Sequence, residues 1–73
     1  MSIRYDQDDI DRIRDLAQKL NSEWRASKRM DMQQEFVREM SQKHDHEFAT
    51  IMLTRVWRVA DEMQRREKQE DYV

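Results

Sequence analysis

The chain has no cysteine, no glycine and no proline, and each absence removes a class of structure. Without cysteine there is no disulfide and no thiolate metal site. Without glycine or proline, the residues that most readily supply positive φ angles, tight turns and helix breaks are missing, which works against a β-rich fold and favours helices. The missing glycines also rule out a glycine-rich phosphate loop. No run of about 18 apolar residues is present to span a membrane. The opening Met1-Ser2-Ile3-Arg4-Tyr5-Asp6-Gln7-Asp8-Asp9 turns acidic where a secretory signal would be basic and then apolar. These features lead to the expectation of a cytoplasmic protein with no membrane contact.

What is present is charge. Charged residues make up 41% of the chain and apolar ones 37%, with a net charge of −2. The balance suits helical bundles, coiled coils and some disordered segments alike, so periodicity must decide among them. A net negative chain exerts no global pull on nucleic acid. Only the stretch 24–44 is net basic.

Ile10, Ile13, Ala17, Leu20 and Trp24 recur at spacings of three and four, a narrow helical stripe with Leu16 at its border. Asp6, Asp8, Asp9 and Asp11 gather at its start, where carboxylates satisfy free N–H groups and complement the macrodipole. A helix over about 7–27 is expected, with Trp24 in the core. Ser2-Ile3-Arg4-Tyr5 ahead of it reads as an arm. Lys28 and Asp31 would break the stripe, so a turn is placed at about 28–31, with Asp31 and Gln34 as a capping box. Met32, Phe36, Val37 and Met40 form the stripe of a second helix, about 32–43. Ser41 or Asp45 could cap a third helix, and a break is placed near residues 41–46. With no glycine or proline there, one continuous helix over 31–68, giving a helical hairpin, is the alternative, and it would give Ile51 a place to pack.

The last helix, about 46–69, has the widest apolar face. Phe48, Ala49, Met52, Leu53, Val56, Val59, Ala60 and Met63 cover nearly half its circumference. One neighbour cannot cover such a face, and chains this short often need a second copy for stability. The expectation is one all-α domain over 1–73, a small helical bundle of two to three helices per chain completed by homodimerisation. Its dimer interface would be Phe48, Met52, Leu53, Val56, Val59, Ala60 and Met63. The mixed-sign tail from Gln64 is expected to fray, with Tyr72 and Val73 beyond it.

Chemistry finds little foothold. In His44-Asp45-His46-Glu47, His44 and Glu47 share a helix face but the two histidines point apart, so the segment reads as an interhelical turn rather than a metal site. Ser2, Ser22, Ser27 and Ser41 sit in polar contexts typical of caps. No catalytic residue, metal or cofactor is expected. Cations at Arg55, Arg58, Arg65, Arg66 and Lys68 are interrupted by Asp61 and Glu62, and pairs such as Glu62–Arg66 read as a solvated helix surface. A helix-turn-helix would make the most apolar helix its reader of base edges, the wrong residue set. A small dimeric DNA-associated regulator, with residues 2–6 as a ribbon, is the alternative.

The leading expectation is a non-enzymatic regulator, adaptor or inhibitor acting by contact with a larger protein. Tryptophan and arginine are common at binding hot spots. Trp57 and Arg58 on the last helix, with Trp24, Arg25, Lys28 and Arg29 around the first turn, are the candidate partner-binding residues.

Overall fold

The structure, a computed structural model, describes residues 5–70, with side-chain burial for residues 5–67. Three helices succeed one another: α1 (Gln7–Ser22), α2 (Ala26–Lys43) and α3 (His46–Glu70). No strand occurs among the described residues. Ser2, Ile3 and Arg4 of the expected arm, and Tyr72 and Val73, lie outside them.

The start of α1 is set by its aspartates. Asp6 is extended (φ −78°, ψ 174°), and its Oδ1 accepts the Asp9 N–H at 2.8 Å. The helix ends at Ser22, earlier than the stripe suggests. Glu23 leaves helical geometry (φ −92°, ψ 121°) while its N–H still donates to the Lys19 carbonyl at 2.9 Å. Glu23 then closes the turn on itself. Its Oε1 accepts both the Arg25 N–H (3.0 Å) and Arg25 Nε (2.7 Å). Arg25 is extended too (φ −79°, ψ 120°), and α2 begins at Ala26. No described residue has a positive φ, so extended residues make the turn and glycine is not needed.

This turn corrects two expectations. It lies at residues 23–25 rather than 28–31, so Asp31 is inside α2 and caps nothing. Trp24 is not in the core: it is 85% exposed, because the helix that would have carried its side chain inward stops two residues before it.

The second break does fall near residues 41–46, at His44-Asp45, which sets aside the continuous hairpin. The His44 N–H donates to the Met40 carbonyl at 2.7 Å, and the backbone then extends (φ −124°, ψ −166°). Asp45 Oδ1 accepts the Phe48 N–H at 2.7 Å, capping α3. Ser41 remains within α2, its buried hydroxyl without a hydrogen-bond partner. Ile51, which the hairpin would have covered, is left partly exposed. α3 runs to Glu70, close to the expected end at about residue 69.

Packing obeys the stripes. Ile13, Leu16, Ala17 and Leu20 of α1 and Phe36 and Met40 of α2 bury themselves against Ala49, Met52, Val56 and Ala60 of α3. Leu16, at the border of the expected stripe, is buried with the rest. Tyr5 and Phe48 pair near the start of α1 (centroids 5.6 Å apart), and Asn21 Nδ2 donates to the Ala60 carbonyl at 2.9 Å near its end, so α1 and α3 run parallel. Gln64 Nε2 in turn donates to Asn21 Oδ1 at 2.9 Å. α2 runs antiparallel to both, and α1 and α2 meet each other far less than either meets α3.

The wide face of α3 is therefore covered from both flanks by helices of its own chain. Met52, Val56 and Ala60, expected at a dimer interface, are closed off by α1 and α2. Phe48, Leu53, Val59 and Met63 lie half-buried around that centre. The width of the face does not call for a second copy. The molecule is flat, 43 × 31 × 17 Å.

Candidate interaction surfaces

The end of the molecule where α1 begins and α2 finishes is held by a buried carboxylate. Asp9 is 1% exposed. It accepts from Lys43 Nζ at 3.0 Å and from His44 Nε2 at 3.1 and 3.2 Å. A carboxylate can only accept, so Nε2 of His44 is the donor. The His44 ring also lies 4.3 Å from that of Phe48. Burial pushes the Asp9 carboxyl up, but the hydrogen bonds and charges of His44 and Lys43 outweigh it and hold the group below its ordinary value. Lys43 reaches Asp6 and Asp8 as well. Hydrogen bonding to Asp9 first, then to Asp6 and Asp8, keeps its ammonium above the usual range.

This arrangement uses up the segment that most resembled a ligand cluster. His44 turns inward, Asp45 caps α3, and His46 and Glu47 are exposed in the first turn of α3. Among the described residues no three metal-ligating side chains converge. His44 and Asp45 join α1, α2 and α3 at this end, through Asp9 and the Phe48 N–H. Sequence reasoning placed Asp9 at the helix start for its charge and missed its burial, which depends on where α2 ends.

The opposite end carries the aromatic and basic residues. Trp24 projects from the three-residue turn, and Lys28 is exposed on the first turn of α2. The Arg29 guanidinium lies 5.6 Å from the centroid of the Trp57 ring, a cation–π contact joining α2 to the edge of α3. Trp57 is 41% exposed, and Met30, which sequence reasoning passed over, is 54% exposed. Arg25 is committed to Glu23, and that hydrogen bonding holds the Glu23 carboxyl below its ordinary value. Lys28 and Arg29 have no carboxylate within ion-pair distance among the described residues.

The structure thus links Arg29 to Trp57 and sets Trp24, Arg25 and Lys28 on the segment leading to them. It does not bring in Arg58. That residue is turned 100° from Trp57 around α3 and borders a separate depression with Tyr5, Ile51, Thr54 and Arg55. Of the expected surface pairs on α3, Asp61–Arg65 forms at 3.2 Å in place of Glu62–Arg66. No described helix is long and apolar enough to cross a membrane.

Comparison of the chain with protein-family models, with curated proteins and with solved structures gave no match. The functional reading rests on the geometry.

Proposed function

We propose that this chain is a non-enzymatic protein-binding module, a stoichiometric regulator that docks on a larger protein through the edge formed by Trp24, Arg29 and Trp57. One observation carries the reading: Trp24 is 85% exposed in a chain whose core closes without it. A tryptophan side chain offers about 150–250 Å². Covering it at about 25 cal/mol per Å² corresponds to about 4 kcal/mol before the costs of association, the size of a strong hot spot.

Local structure favours the same use. The turn is three residues long and tied by hydrogen bonds to Lys19 and Glu23, so little chain entropy remains to be lost on docking. Lys28 and Arg29 add positive charge beside the aromatic rings, which suits an acidic patch on the partner. A cytoplasmic setting and self-association belong to the same proposal. The support for a second copy is chain length rather than the width of the α3 face.

The test is capture of partners from host lysate by wild type, Trp24→Ala and Trp57→Ala, with helicity checked by circular dichroism. The proposal expects full helicity and lost capture in both variants. Unchanged capture by Trp24→Ala would remove its basis. Binding of arbitrary duplex DNA, weakening steeply with salt, would favour the nucleic-acid alternative.

A further inference from the structure

A groove of about 680 Å³ runs between the parallel helices α1 and α3, on a surface that the Trp24 edge does not include. Its apolar part is half-buried: Ile10 on α1, with Val59 and Met63 one turn apart on α3. Charge stands along both sides, with Arg14 on α1 and Arg55, Glu62 and Arg66 on α3. The three α3 positions are i, i+7 and i+11, so they trace one edge of that helix for about 16 Å, three turns.

The charges are unbalanced. Three guanidiniums face one carboxylate in a chain whose net charge is −2. Arg12, Arg25 and Arg65 have carboxylate partners, whereas Arg14, Arg55 and Arg66 have none within 4 Å among the described residues. Glu62 pairs with neither Arg58 nor Arg66.

We infer that this groove seats an acidic amphipathic helix of a partner protein. The apolar floor selects against an occupant that offers only charge, because it would bury Val59 and Met63 against polar groups. The rim selects for acidic flanks, because a basic helix would face three guanidiniums against one carboxylate. A helix with apolar residues at i, i+3/i+4 and i+7 and carboxylates on both sides satisfies floor and rim together. Laid between α1 and α3, it would turn three helices into a four-helix arrangement. The inference is independent of the Trp24 surface.

The probe is a fluorescein-labelled amphipathic peptide of about five turns, with leucine on its apolar face and glutamate on both flanks, and a counterpart with lysine for glutamate. Fluorescence anisotropy reads binding to the full chain. The glutamate peptide is expected to bind and the lysine peptide not to. Arg55→Glu and Arg66→Glu, both exposed and therefore compatible with folding, are each expected to weaken binding about tenfold. Arg38→Glu, the same charge change on the exposed side of α2, is expected to leave it unchanged.

Equal binding of the two peptides would overturn the inference, as would equal losses in Arg38→Glu and Arg55→Glu. So would sedimentation showing a dimer that Arg55→Glu dissociates, since the occupant would then be a second copy. Displacement of the peptide by duplex DNA, lost in the same variants, would assign the arginines to phosphate and overturn it as well.

Discussion

Replacing Asp9 with alanine tests the account of how the chain is held at its α1–α2 end. The side chain is 1% exposed and receives hydrogen bonds from Lys43 and His44, each of the charge-assisted kind worth about 1.5–3 kcal/mol. The gross loss is partly offset, because the variant no longer desolvates a carboxylate. Lys43, 36% exposed, also keeps Asp6 and Asp8 and rehydrates, which reduces the cost further. The net loss is expected at about 2–3 kcal/mol, below the 3–5 typical when the surviving charge is fully buried. A domain of this size unfolds with about 4–11 kcal/mol, so the melting temperature should fall by about 10–20 °C.

Lys43→Met is the sharper half of the experiment. It leaves the Asp9 carboxylate buried with only His44 to answer it, and should cost more than Asp9→Ala. The double variant Asp9→Leu/Lys43→Met should be more stable than Lys43→Met alone, since no uncompensated charge remains. Urea unfolding monitored by circular dichroism at neutral pH measures all three. A loss under about 0.5 kcal/mol for Asp9→Ala, in the range of an ordinary surface substitution, would refute the account of a buried charged clamp. Acid titration provides a second reading. The folded-state pKa of Asp9 lies below the unfolded one, so its contribution is complete above about pH 4 and is lost as pH falls through the folded value. Asp9→Asn should flatten that part of the acid unfolding curve.

Other outcomes rest on burial and capping. Trp24→Ala should change stability by less than about 0.5 kcal/mol, whereas Leu20→Ala, four positions earlier and buried, should cost about 2–5 kcal/mol; thermal melts separate the two. In the Trp57→Phe variant the remaining tryptophan fluorescence should be water-like and freely quenched by acrylamide, while Trp24→Phe should report a partly shielded Trp57. Asp45→Ala should cost about 1 kcal/mol through the lost α3 cap, read by chemical denaturation. Self-association is expected to appear as a dimer in sedimentation at micromolar concentration and to raise the melting temperature as concentration increases.

The three apolar stripes are legible in the chain because helical periodicity is local: Ile13, Ala17 and Leu20, then Phe36 and Met40, then Met52, Val56 and Ala60, each repeat at three or four residues. The caps at Asp6 and Asp45 are local too, and so is the absence of the residues that β turns favour. The end of α1 is less accessible. Trp24 continues the stripe by spacing alone, but Glu23 bonds to the backbone and side chain of Arg25 and ends the helix. An apolar pattern carries no information about that competition.

Tertiary structure decided the rest. The wide face of α3 is evident from the sequence, yet whether α2 folds back over it or a second copy does depends on the break at His44. That break is held in part from a distance, by Asp9 accepting from the His44 ring, and no nearby glycine or proline marks it. Burial of Asp9 and the groove between α1 and α3 have the same origin. Each depends on how one helix is placed against another, and local spacing specifies the faces of helices without specifying what they meet.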